Sequence, residues 1–227
     1  MDLTAADLVK NYVLSVVPET LFDTTYKHWR SMVDNIGDDQ LSRYLRASWN
    51  SKYEFARQAD LYREVSKRVV ATPGNSKTKT GASSFVKSLD DESIDWEDLR
   101  NPDGTNWMAP YPDLREDLND LRLLDARLVY VPLLALRAAH RTEPKEFAKA
   151  VRLFRDFYVR HTIVAGRAAN EVEEDYSKWA GKIRGKTMSL SQLQANLHAL
   201  SPDDKTFKLR PTDKASTNGA SSAGAGQ

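Results

Sequence analysis

Ten lysines and arginines, Arg43, Arg46, Lys52, Arg57, Arg63, Lys67, Arg68, Lys77, Lys79 and Lys87, fall within residues 41–89 against three acidic residues, with Trp49, Tyr53 and Phe55 among them. Cations neutralise phosphates and aromatic rings stack on unpaired bases. The block is therefore the chain's candidate for a weak, salt-sensitive contact with a nucleic-acid backbone, carried by Arg43, Arg46, Lys52, Arg57, Lys77 and Lys79. The same spacing suits a pair of ordinary helices with aromatic residues inside and long cations outside. Directly after it, residues 90–120 hold eleven acidic residues against two arginines. The run Asp90-Asp-Glu-Ser-Ile-Asp-Trp-Glu-Asp98 can gather carboxylates around magnesium, or can be a solvated helix face. Neighbouring blocks of opposite sign can also pair across a fold.

Other chemistry is poorly supported by the residue types. The loop Gly74-Asn-Ser-Lys-Thr-Lys-Thr-Gly81 has lysine and threonine near glycine, but its second glycine follows the lysines and no strand leads into it, unlike a phosphate-binding Walker loop. His28, His140, His161 and His198 are far apart in sequence and make no His-Glu-x-x-His pair. With no cysteine at all, disulfides, thiolate nucleophiles and cysteine zinc sites are excluded. These observations lead us to expect no metal or cofactor in this chain, and a cytoplasmic setting.

The elements that must carry these residues are helices. Glycine and proline are sparse, and apolar residues recur at intervals of three and four. The expected fold is all-α, an irregular bundle of about 8–10 helices over residues 1–207, with a possible hinge at 72–82 and a flexible Ser/Ala/Gly tail over 208–227. Thr4 and Asp7 form a capping-box pattern for a first helix reaching Ser15. Leu21, Phe22, Tyr26, Trp29, Met32 and Val33 mark the buried stripe of a second, stopped at Gly37. Leu41, Tyr44, Leu45 and Trp49 do the same for a third, and Leu61, Tyr62, Val65 and Val69 for a fourth over residues 58–70. Phe85, Val86, Leu89, Ile94, Trp96 and Leu99 line a fifth. Leu114, Leu118, Leu121, Leu124 and Leu128 give the firmest periodicity, after which Pro132 is expected to kink or split the stretch Val129–Leu136. Thr142 is the expected cap of the next helix, Gly166 its bend or end, and two more helices follow at about 168–184 and 189–200. The net charge of 33 basic against 32 acidic residues, +1, supplies no overall field to hold nucleic acid or lipid. No window approaches the roughly 20 apolar residues of a membrane span.

Leu3-Thr-Ala-Ala-Asp-Leu-Val-Lys-Asn11, Val131-Pro-Leu-Leu-Ala-Leu136, Phe157-Tyr-Val-Arg-His-Thr-Ile-Val-Ala-Gly-Arg-Ala-Ala-Asn170 and Ser201-Pro-Asp-Asp-Lys-Thr-Phe207 occur in this order. Together they resemble the helical middle region of the GmrSD-type, modification-dependent restriction endonucleases. The resemblance runs from Leu3 to about Phe207 and singles out Asp7, Lys10, Asn11, Pro132, Arg160, Gly166 and Asn170, as positions of structural weight. It implies a non-catalytic connector between a nucleotide-dependent N-terminal domain and a DNA-cleaving C-terminal domain, neither of whose motifs is found here. Its partners would be those domains and the DNA backbone. The alternative is a stand-alone helical interaction or regulatory subunit.

Overall fold

The computed structural model describes residues 3–201 and is built almost wholly of helix. The expected tail at 208–227 and the stretch 202–207 before it lie outside the described residues. Ten α-helices follow one another: α1 Ala5–Val16, α2 Glu19–Ile36, α3 Asp38–Lys52, α4 Leu61–Arg68, α5 Ala82–Arg100, α6 Pro112–Leu123, α7 Tyr130–Ala139, α8 Pro144–Tyr158, α9 Glu173–Arg184 and α10 Leu190–Leu200. No helix among the described residues is long and apolar enough to cross a membrane.

Local chemistry sets the ends of these helices. Thr4 caps α1 as the sequence predicts: Asp7 N donates to Thr4 Oγ1 at 3.2 Å and Thr4 N donates to Asp7 Oδ2 at 2.9 Å. Those bonds satisfy two amides the helix cannot, and hold the Asp7 carboxyl below its ordinary range. Gly37, at φ 77°, ends α2 and begins α3 in one step, a conformation that an L side chain would resist. Ser189 and Gln192 make a second capping box on α10.

A single core runs through the bundle, with Trp29, Tyr44, Tyr176, Phe147, Phe154 and Met32 among its fully buried side chains. Helix α5 packs along α2, α7 along α9, and α6 along α8, while α3 touches α5, α7 and α9.

Several boundaries and faces differ from the sequence reading. On α2, Trp29 and Met32 are buried with Thr25 and Ile36, but Leu21, Phe22 and Tyr26 lie outside, Phe22 stacked on Tyr26 at 6.2 Å. Tyr62 is likewise exposed, with its edge on Tyr12, and Ile94 is 58% exposed on α5. Apolar character alone did not decide the face, because polar Ser93 and Asp95 beside Ile94 find hydrogen-bond and ion-pair partners in Asn35 and Arg137 and take the inner positions. Helix α6 stops at Leu123 instead of continuing to Leu128: Asp125 adopts φ 53°, and a 3-10 turn at Arg127–Val129 leads into α7. Pro132 therefore neither kinks nor splits a helix. It is the third residue of α7, in the first turn, where no intrahelical donor is lost. The cap of α8 is Glu143 rather than Thr142. The segment expected as a hinge at 72–82 is closed at its base by a two-residue parallel ladder, β1 Val69–Val70 against β2 Thr80–Gly81.

Candidate anion-binding cleft

The carboxylates of the acidic run do not converge on one point, and most of them face other helices instead of solvent. At about 100° per residue, consecutive carboxylates on α5 point to different neighbours. Asp90 meets His28 on α2 at 2.6 Å, Asp91 pairs with Lys87 at 2.6 Å, and Asp98 accepts from Trp107 Nε1 at 2.8 Å and Thr105 Oγ1 at 3.1 Å. Asp95, buried, lies 3.3 Å from Arg137 of α7 and is also held by Arg141. Glu92 is buried between α3 and α9, 3.1 Å from Lys52, accepting from Ser48 Oγ at 2.5 Å and paired with Arg184. Among the described residues no group of three or more metal-ligating side chains converges. The acidic run therefore holds helices together.

The basic block does not form one track. Lys52 is buried on Glu92 and hence withdrawn from any nucleic-acid surface; burial pushes its ammonium below the usual lysine range although Glu92 opposes this. Arg46 donates to Ala56 O at 3.1 Å and pairs with Glu173 at the start of α9. Trp49 is buried against Tyr53 and Phe85, and Tyr53 carries Arg68 on its face at 4.1 Å, so neither ring is laid out for stacking on bases. Lys79 donates to Lys67 O from the 72–82 loop. Arg57 and Lys77 are exposed, on segments remote in sequence from one another. The opposite-sign blocks pair with each other only in part: Lys52 with Glu92 and Lys87 with Asp91 fit that reading, whereas Asp95 and Asp117 use arginines of the α7–α8 region instead.

What the fold does assemble is a cleft of about 290 Å³ between α3, α5, the α6–α7 turn and the start of α9. Gln40, Arg43, Ala47 and Asn50 present one face of α3, at spacings of three and four. Trp96 and Arg100 face it from α5, also four apart, and Arg122, Asp125, Arg127 and Tyr130 come from the turn and the helices flanking it. Five arginines thus line one concavity with two carboxylates, and each carboxylate has its own arginine: Asp125 with Arg127 at 2.6 Å, Glu173 with Arg46. Arg43, Arg100 and Arg122 have no ion-pair partner among the described residues. Trp96 is 4% exposed, wedged against Tyr44 at 5.5 Å and Tyr130 at 5.2 Å, with Arg100 5.9 Å above its ring. Its Nε1 and the Nε2 of Gln58, both buried and both in the cleft wall, have no hydrogen-bond acceptor. Such a lining is rich in donors and short of acceptors, which suits an oxyanion. Arg43 and Arg46 were visible as candidates in the sequence. Arg100, Arg122 and Arg127 were not, since they lie in or beside the acidic block and are brought to α3 only by the tertiary fold.

The remaining motif positions are distributed along the chain. Asp7 completes the capping box of Thr4 on α1, Lys10 lies one turn further on, Asn11 is exposed and Pro132 is buried in the first turn of α7. The stretch Val159–Val164 winds as a π-helix after α8, with Arg160 on its outer side, Gly166 following at φ 66° and Asn170 exposed in a 3-10 turn at Ala169–Val172. A π turn rotates the following residues relative to the α register. Within it His161 is buried, stacked on Phe157 at 5.0 Å with Glu171 3.9 Å away. Burial first, and Arg167 second, hold its imidazole below the ordinary histidine range. A base whose folded pKa is depressed binds fewer protons folded than unfolded, so its stability contribution is complete above about pH 6.5 and declines as pH falls through the folded value. The Tm difference between the protein and His161→Gln is expected to narrow from pH 7.5 to pH 5. A gap that widens on acidification contradicts this, and thermal unfolding by circular dichroism at several pH values reads it.

No family model, no curated protein and no solved structure matches this chain.

Proposed function

We propose that this chain is a non-catalytic helical connector of a GmrSD-like restriction or anti-phage defence protein, coupling a nucleotide-dependent N-terminal domain to a DNA-cleaving C-terminal domain. The observation that carries the reading is the role of α5. Its carboxylates reach helices α2, α3, α7 and α9 through His28, Lys52, Arg137 and Arg184, so displacing any one of these helices strains contacts shared with the others. That arrangement suits a body that passes a displacement from one end to the other. The exposed stripe of Leu21, Phe22 and Tyr26 on α2 supports it further, as apolar surface available to a neighbouring domain. DNA contact, in this reading, is a weak backbone interaction through Arg57, Lys77 and neighbouring exposed cations, and Lys52 has no part in it.

Two measurements test the proposal. The purified chain is expected neither to hydrolyse GTP or ATP nor to nick modified duplex DNA, and deleting its gene is expected to relieve restriction of a phage with modified DNA. Turnover by the isolated chain, or restriction unchanged by the deletion, overturns the reading.

A further inference from the structure

We propose that the arginine-lined cleft between α3, α5 and α7 is a binding site for a small phosphorylated anion of mononucleotide size. The inference goes beyond the connector reading and does not rest on it, since it is drawn from the geometry of the cleft alone.

Arg43, Arg100 and Arg122 bring three positive charges to one concavity with no carboxylate partner among the described residues, while both carboxylates in the wall are already held by other arginines. Five guanidinium groups against two carboxylates leave an excess of positive charge in one concavity, and the arrangement becomes more favourable when an anion occupies the space between them. The second observation is independent of charge. Trp96 is fixed by rings on two sides and its Nε1 is buried without an acceptor, and the Nε2 of Gln58 in the same wall is in the same condition. A buried donor without a partner costs stability, and both of these belong to side chains that line the cleft, which leaves its wall short of acceptors. Phosphate has such oxygens and the charge to match; a fatty acid or an uncharged sugar lacks one or the other. The volume of about 290 Å³ sets the size, being too small for a duplex to enter and large enough for a phosphate with one ring system attached. Tyr130 on α7 and Trp96 supply apolar wall for that ring, and the phosphate sits among the arginines at the mouth.

The test is calorimetric titration of the full chain with pyrophosphate, AMP, GMP and a short plain DNA duplex, together with Tm shifts at millimolar ligand. Binding of pyrophosphate and of at least one of AMP and GMP is expected, each tighter on the unaltered protein than on a variant lacking the arginines. Arg43→Ala, Arg100→Ala and Arg122→Ala are each expected to weaken it about tenfold, which is the usual weight of one charge-assisted hydrogen bond. Arg63→Ala, at an exposed arginine outside the cleft, is expected to leave it unchanged. No binding of any small anion to the unaltered protein overturns the proposal, as does binding that survives the triple alanine variant. Duplex binding that depends on these arginines without any small-anion binding overturns it equally. The arginines chosen hold no ion pair, so their loss leaves the fold's own pairs in place, and the result on the unaltered protein decides the matter even where a variant fails to fold.

Discussion

Glu92→Gln is expected to cost about 3–5 kcal/mol of folding stability, measured as the loss in urea unfolding free energy at pH 7. Glu92 is buried, and so is most of Lys52 and Arg184, whose side chains are 14% and 21% exposed. Glutamine keeps the shape of the side chain and removes the charge, leaving two cations in a poorly solvated space between α3, α5 and α9. Ser48, which donates to the carboxylate at 2.5 Å, then faces an amide. Although burial alone would raise the Glu92 carboxyl, Lys52 and Arg184 outweigh it and hold the group below its ordinary range. A carboxylate with a depressed folded pKa stabilises fully above its unfolded value and loses that contribution as pH falls through the folded one. The difference between the protein and Glu92→Gln is therefore expected to be largest above about pH 5 and to shrink in stronger acid. Lys87→Ala provides the contrast: it breaks the Asp91 pair on the same helix, but both side chains are more than half exposed, and a change of no more than about 0.5 kcal/mol is expected. Equal losses in the two variants would show that burial does not set the value of these pairs.

Sequence carried most of the elements and little of the site. The helical period, the Thr4-x-x-Asp7 box, Gly37 and Gly185 placed the helix ends near where they stand, because those signals depend on residues within one or two turns. The face that each helix buries was less legible. Leu21, Phe22, Tyr26, Tyr62 and Ile94 look apolar enough to be inside, yet the inner positions went to Thr25, Ser93 and Asp95, whose partners come from elsewhere in the chain or from the preceding turn. Pro132 was misplaced for a related reason: the leucine period ran on to Leu128, while the chain turned at Asp125 and put the proline in a first turn, where it does no harm. The cleft was illegible for a stronger reason. Reading charge in blocks separates Arg43 from Arg100 and Arg122, although the three face one space once α3 and α5 pack, and it groups Lys52 with surface cations although its partner Glu92 lies 40 residues on.

Asp95→Asn is expected to destabilise by about 3 kcal/mol, yet Asp95→Leu combined with Arg137→Met is expected to recover that loss or to exceed the stability of the natural pair. The carboxylate and guanidinium are both almost fully buried, 5% and 8% exposed, at 3.3 Å. Here burial wins over its neighbours: it raises the Asp95 carboxyl despite Arg141 and Arg137, and it lowers the Arg137 guanidinium despite Asp95. Both directions say that each group loses more in leaving water than its partner returns, the opposite of Glu92 three residues earlier. The geometry agrees, since Arg137 Nε is within ion-pair distance but is not aligned to donate a hydrogen bond. Removing only the aspartate abandons Arg137 among apolar neighbours with Trp107 on its face at 4.0 Å, whereas removing both takes the desolvation cost away with the attraction. Arg141, more than half exposed, returns to solvent at little cost. The sign also shows in pH: a carboxyl raised on folding binds its proton more tightly folded, so its contribution to stability falls as pH rises through the carboxylate range. The protein is thus expected to gain relative to the Leu/Met variant as pH is lowered from neutral into the carboxylate range, because Asp95 takes up its proton at a higher pH folded than unfolded. A double variant that stays as unstable as Asp95→Asn at neutral pH would mean that this pair is a net source of stability.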